Sequence, residues 1–260
     1  MEFGPLQYRI PPVPLRCVNE RYYPGMFGDF TKVIEAHLVQ LRRNSDWERR
    51  EKARFFEYLL TQIDAEQYAQ LQDAYLRPVV QDASYLKYLD CVSWFEHKFR
   101  FAHQLGLDKK PPMRILDLGT GPGHFLVIAR FYGHEAVGTE RQDHADTMRA
   151  THFYNKLAEL YRIERIRHRV LPYQEVSDLP SDFQLVTAFS VAFNWHNRTP
   201  WDRDQWDFFL RSLSQHVLTA GGELFMTLIR NKLTKESWEY LVSKAKWVDE
   251  PERYVLIEHP

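Results

Sequence analysis

Segment 114–125 reads R-I-L-D-L-G-T-G-P-G-H-F and restricts the fold more than any other part of the chain. Ile115, Leu116 and Leu118 make a short apolar run with one acid, Asp117, inside it, and the run ends at Gly119, Gly121 and Gly123. An apolar run closed by alternating glycines predicts a buried strand that turns sharply into a helix. Glycine at such a turn permits positive φ and lets a ligand come close to the main chain, where a Cβ would block it. The competing reading is a tight strand-to-helix turn that holds no ligand.

The chain on either side of this turn has two characters. Residues 1–25 carry Pro5, Pro11, Pro12, Pro14 and Pro24 and predict an extended arm. Helices are expected over 29–43, over 45–63 with Ser45 and Glu48 at capping-box spacing, from Asp64 to Pro78, and continuously over 84–105. In the last of these Tyr85, Leu89, Val92, Phe95, Phe99 and Ala102 fall on one stripe. Lys109-Lys110-Pro111-Pro112 is the clearest junction, and beyond it strands and helices alternate. Strands are expected at 113–118, 135–140, 165–171, 184–190, 222–229, 245–249 and 253–258, with helices at 123–132, 143–162, 203–218 and 234–244. This alternation predicts an α/β fold: a doubly wound, seven-stranded, mostly parallel sheet with an antiparallel edge hairpin. An arm and helical cap over 1–110 would precede the α/β domain at 111–260.

Composition narrows the function. The formal net charge is −1, and no Lys/Arg run is long enough for a nucleic-acid footprint, so nucleic acid is disfavoured as a partner. The N-terminus lacks a secretory pattern and no stretch approaches the length of a membrane span, which makes a cytoplasmic location and no membrane partner the expectation. Cys17 and Cys91 lie outside any metal-binding spacing and read as reduced, buried thiols, and no metal site is expected.

Glu140 ends the second expected strand, about twenty residues past the glycines, where a carboxylate can accept both hydroxyls of a ribose. A nucleoside-containing cofactor is therefore expected at the turn. The dinucleotide fingerprint requires a third glycine at the position of His124, which disfavours a nicotinamide or flavin cofactor. D-L-G-T-G-P-G, followed by an acid at the end of the second strand, resembles motif I of the class I S-adenosylmethionine-dependent methyltransferases. The resemblance runs from Met113 to the C-terminus and includes the edge hairpin and the A-G-G-E-L segment opening the fifth strand.

The resemblance implies S-adenosylmethionine as cofactor, with Asp117, Gly119, Thr120, Gly121 and Gly123 around its methionine part. It also implies Glu140 on the ribose hydroxyls and Arg141 beside the adenine. An acid near the adenine amino group, shortly before Leu179-Pro180, would fall to Gln174 or Glu175. Phe189 and Ser190 match the position facing the sulfonium and the substrate. Tyr85, Lys87 and Tyr88, in the helical segment before the sheet, are candidates to touch the acceptor or the cofactor carboxylate.

Methyl transfer depends mainly on holding acceptor, methyl and sulfur in line, and a general base is needed only for acceptors that lose a proton. The candidate bases are His196, in the loop after the fourth strand, and His124, in the first helical turn. An exposed loop histidine and a packing or cofactor-contact residue are the respective alternatives. The near-neutral charge, the helical cap and the aromatic stretch with Trp195, Trp201, Trp206, Phe208 and Phe209 point to a small-molecule acceptor. A protein or RNA acceptor, or a non-catalytic cofactor-binding scaffold, are the other readings. The Asn-Pro-Pro-aromatic signature of amino-methylating nucleic-acid enzymes is absent, since the matching place reads Phe193-Asn194-Trp195-His196. Homo-oligomerisation is left open.

Overall fold

The computed structural model describes residues 28–43, 46–76, 84–141, 148–191, 193, 199–229, 232–258 and 260. The arm at 1–25, His144 and the loop carrying Trp195 and His196 lie outside these residues. The chain divides into two compact units, Met1–His97 and Lys98–Pro260.

The first unit is helical: α1 Phe30–Arg42, α2 Trp47–Gln62, α3 Ala65–Leu76, a 3-10 helix Ser84–Leu89 and the start of α4 Cys91–Gln104. The α-helices of this unit begin where an aspartate accepts the orphan N–H groups of a first turn. Asp29 accepts from Lys32 N at 2.9 Å, Asp46 from Arg49 N at 2.9 Å, and Asp64 from Glu66 N and Gln67 N at 2.9 and 3.1 Å. The start of α2 thus uses Asp46 as cap, one residue after the Ser45 of the expected capping box. Phe30, Ile34, Phe55, Phe56, Leu59, Tyr68 and Phe95 form the buried centre. The helix expected to run unbroken over 84–105 is divided at Asp90. Its carboxylate accepts from Ser93 N at 3.1 Å and Ser93 Oγ at 2.9 Å, so a new helix starts there and the preceding turn tightens to 3-10 form.

Cys91, the first residue of α4, is buried, and burial pushes its thiol up to about 12. The thiolate is the reactive species, so Cys91 is expected to resist Ellman's reagent in the native protein and to react once urea unfolds it. Fast labelling of Cys91 under native conditions would contradict this environment.

The second unit carries β1 Arg114–Asp117, α5 His124–Phe131, β2 Glu135–Glu140, α6 Met148–Leu160, β3 Glu164–Arg167 and β4 Phe183–Phe189. It continues with α7 Arg203–His216, β5 Leu218–Thr227, α8 Lys235–Lys244, β6 Trp247–Asp249 and β7 Tyr254–Glu258. The sheet is seven-stranded, as expected, and its strands lie in the order β3-β2-β1-β4-β5-β7-β6. Strands β1 to β5 pair in parallel, and β7 pairs antiparallel with both β5 and β6. Strand order reverses between β1 and β4, and the crevice outside their carboxyl ends is where an open α/β sheet binds ligands.

The largest differences from the expected boundaries lie in β3, α7 and β5. β3 ends at Arg167 rather than 171, and α6 is helical over Met148–Leu160, the preceding residues lying outside the description. β5 starts at Leu218, not 222, and so α7 stops at His216. The Gly221-Gly222 pair opens no strand: it lies inside β5, where the register against β4 shifts between Phe183 and Leu185. A glycine pair inside a strand marks such a bulge as readily as a strand start.

Candidate cofactor site

Gly119, Gly121 and Gly123 all take positive φ, at 62°, 55° and 86°. Gly123 is the most constrained, because a Cβ there would lie 2.8 Å from Ile163 Cγ1, and it starts α5 without a side-chain cap. A Cβ at Gly121 would meet nothing within 4 Å, so the turn is open on that side. The turn itself is held to the end of β2. Gly119 N donates to Thr139 Oγ1 at 3.0 Å, Thr120 N to Thr139 O at 2.9 Å and Gly121 N to Glu140 Oε2 at 3.1 Å. These N–H groups are consumed by β2, so the turn is not the anion nest that a pyrophosphate requires.

Glu140 is half-buried, and its other oxygen accepts Arg141 N at 2.9 Å. A carboxylate has about four acceptor positions, so two remain beyond the two backbone bonds. Burial raises the Glu140 carboxyl above its usual range, while the Arg141 N–H, the Arg165 guanidinium and the Gly121 N–H draw it back. Arg165, on β3, donates to Asn155 Oδ1 at 2.6 Å and reaches Gly121 O at 3.5 Å, joining α6, β3 and the glycine turn.

Asp117 is 2% exposed and accepts from Thr187 Oγ1 at 2.7 Å across the β1–β4 pair. Burial pushes its carboxyl up to about 6, opposed first by Lys98 and then by Thr187 and Thr120. A folded-state value above the unfolded one of about 3.9 means that Asp117 binds more protons folded than unfolded. Its cost is absent below about pH 4 and complete above about pH 6. The unfolding free energy of wild type relative to Asp117→Asn is therefore expected to fall by roughly 2–3 kcal/mol between about pH 4 and 7, read by urea titration. A relative stability that rises over this interval would contradict the assignment.

At the end of β4 Phe189 packs with Phe101, Phe125 and Phe225 at centroid distances of 5.0, 4.7 and 5.8 Å, and Lys98 Nζ lies 3.6 Å from its ring centre. Ser190 is exposed with φ of 55°, held by two bonds from its N–H to Thr227 O and Oγ1, both 2.9 Å. A non-glycine residue in this region is strained, and here the strain falls at the mouth of the β1–β4 crevice.

The structure thus gathers Asp117, Gly119, Thr120, Gly121, Gly123, Glu140 and Arg141 around one turn, with Phe189 and Ser190 at the end of the neighbouring strand. Gln174 is exposed, and Glu175 lies 3.9 Å from His216 at the far end of α7. No described hydrogen bond links either of them to the turn. His124 is buried, with its ring edge-on to Tyr161 at 5.3 Å. His196 lies outside the described residues. Thr139, Arg165 and Thr187 complete the polar network, Lys98 stands over the Phe189 ring beside it, and none of the four was expected from the sequence. Three had a visible signal: Thr139 and Thr187 are polar residues inside apolar strands, and Lys98 is a cation on an otherwise apolar helix stripe.

No protein-family model matches the chain, and no curated protein does. Solved structures are similar at low identity. A ribosomal protein L11 methylase from Lactobacillus delbrueckii subsp. bulgaricus is 18% identical over 60% of this chain and 74% of its own, with a TM-score of 0.38. TrmN from Thermus thermophilus is 16% identical, matching 63% of this chain and only 46% of its own, with a TM-score of 0.39. A TehB-like SAM-dependent methyltransferase from Corynebacterium glutamicum is 14% identical over 64% of this chain and 95% of its own, with a TM-score of 0.37. The sheet order and the edge hairpin stand without these likenesses. The observed sheet, parallel through β5 with the antiparallel β7–β6 edge, is the α/β fold expected from the sequence. Among the described residues no helix is long and apolar enough to cross a membrane, and no group of three metal-ligating side chains comes together.

Proposed function

We propose that the protein is an S-adenosylmethionine-dependent methyltransferase acting on a small-molecule acceptor. The observation that carries the cofactor reading is Glu140: a half-buried carboxylate fixed by Gly121 N–H and Arg141 N–H at the open side of the glycine turn, with two acceptor positions to spare. Those positions suit a ribose diol. The open side of Gly121 suits a ligand lying against the main chain, and Asp117, behind the turn, suits a positively charged amino-acid end.

When bound, S-adenosylmethionine would supply an electrophilic methyl on a sulfonium. The chain's part is positional. Glu140 fixes the nucleoside end, the turn sets its depth, and Phe189 with the strained Ser190 shapes the wall along which an acceptor must align. His196 and His124 are the candidate proton acceptors for an acceptor that must lose a proton, and Gln174, Glu175 and Arg141 the candidates on the adenine side. The formal charge of −1 and the lack of a basic run favour a small acceptor over nucleic acid.

Calorimetric titration of the wild type with S-adenosylmethionine and S-adenosylhomocysteine tests the cofactor. Binding that is abolished in Gly121→Arg, which fills the open side of the turn, is the expected result. Absence of binding to wild type, or unchanged binding in this variant, would end the cofactor reading. Transfer of a labelled methyl to a metabolite library, but not to bulk protein or RNA, is the expected outcome for the acceptor class.

A further inference from the structure

Lys98 is a cation at the end of β4 that, among the described residues, the fold leaves without a polar partner. It stands on α4 at the spacing Cys91, Phe95, Lys98, Ala102, Leu105, a run of positions otherwise filled by buried apolar residues. Its ammonium is partly buried, 3.6 Å from the ring centre of Phe189 and 5.5 Å from that of Phe101. Among the described residues it makes no hydrogen bond and no ion pair, and the one charge that acts on it, Asp117, acts at longer range. Burial accordingly brings it down to about 8.

An ammonium that has given up part of its hydration without gaining hydrogen bonds is costly, and an aromatic face repays only a fraction. Its three donors call for acceptors, and an anion is the one that also offsets the charge. The position of Lys98 says which anion. Strand order β2-β1-β4 puts Glu140 on one side of β1 and Phe189 on the other. With the ribose on Glu140, the end of the donor farthest from its nucleoside comes to β1 and β4, where Lys98 lies over Phe189 and within the field of Asp117. That end of the donor is a zwitterion, and Lys98 and Asp117 are a cation and an anion at the matching end of the crevice.

We propose that Lys98 binds the α-carboxylate of the donor's amino-acid end, so that the site selects the intact donor over truncated nucleoside thioethers. This rests on the cofactor reading above, and the test separates the two. S-adenosylhomocysteine and 5′-methylthioadenosine both have an uncharged sulfur and differ in the amino-acid end. Calorimetry on the full chain is expected to show wild type binding S-adenosylhomocysteine at least about tenfold more tightly than 5′-methylthioadenosine. Lys98→Met is expected to weaken S-adenosylhomocysteine about ten- to a hundredfold while 5′-methylthioadenosine stays within about twofold. Lys98→Arg, which keeps the charge, is expected to restore most of the preference. Should Lys98→Met fail to melt cooperatively, Lys98→Gln is read by the same ratio. Equal binding of both compounds by wild type, an unchanged preference in the uncharged variant, or equal weakening of both compounds would overturn the assignment. If wild type binds neither compound, the cofactor reading itself fails.

Discussion

Glu140→Ala is expected to weaken S-adenosylhomocysteine binding by about a hundredfold or more. Two losses combine in this variant. The ribose diol would lose its acceptors, and Gly121 N–H and Arg141 N–H lose the partner that fixes the turn to β2. Hydrogen bonds to a charged group contribute about 1.5–3 kcal/mol each, and the loss of two corresponds to two decades or more in affinity. Glu140→Gln is expected to recover little, because its amide turns one acceptor into a donor facing a backbone N–H. The measurement is isothermal titration calorimetry with a thermal melt of each variant. An alanine variant that melts like wild type and binds within about threefold of it would show that Glu140 holds no ligand.

Gly138→Ala is expected to destabilise the fold by about 2–3 kcal/mol, although alanine differs by one methyl group. Gly138 lies in β2, paired with Asp117 on one side and Arg165 on the other, so the strand has no freedom to withdraw. A Cβ there would sit 2.4 Å from Thr120 Cγ2, 2.8 Å from Thr120 Cβ and 3.1 Å from Leu126 Cδ1. Thr120 must move, and with it the bonds from Gly119 and Thr120 to Thr139. Gly138→Ala is thus expected to lower cofactor affinity as well as stability. Thr120→Ser removes the nearest methyl and is expected to return part of the stability in the double variant, a coupling that urea titration of the four proteins measures. A Gly138→Ala protein within about 0.5 kcal/mol of wild type would mean that the turn is not clamped against β2.

What could be read from the sequence was local. Asp117 and the three glycines lie within seven consecutive residues, and Glu140 follows at the spacing set by one helix and one strand. The strand-helix alternation likewise predicts the parallel sheet and its edge hairpin. The residues that complete the site come from far along the chain. Thr187 reaches Asp117 only through the β1–β4 register, 70 residues away, and Arg165 reaches the turn from β3. Gly138 looks like an ordinary small strand residue until Thr120 is seen against it. The break at Asp90 was hidden because an apolar stripe continues through it, while the capping bonds to Ser93 decide the backbone. Lys98 left a trace, a cation in an apolar heptad, although nothing in one sequence says what it faces.

The most direct measurement of the central claim is a crystal structure of the protein with S-adenosylhomocysteine. The ribose hydroxyls are predicted within hydrogen-bond distance of the Glu140 carboxylate, with the amino-acid end against the glycine turn on the Asp117 side. A ligand bound elsewhere, or one whose ribose makes no contact with Glu140, would contradict it.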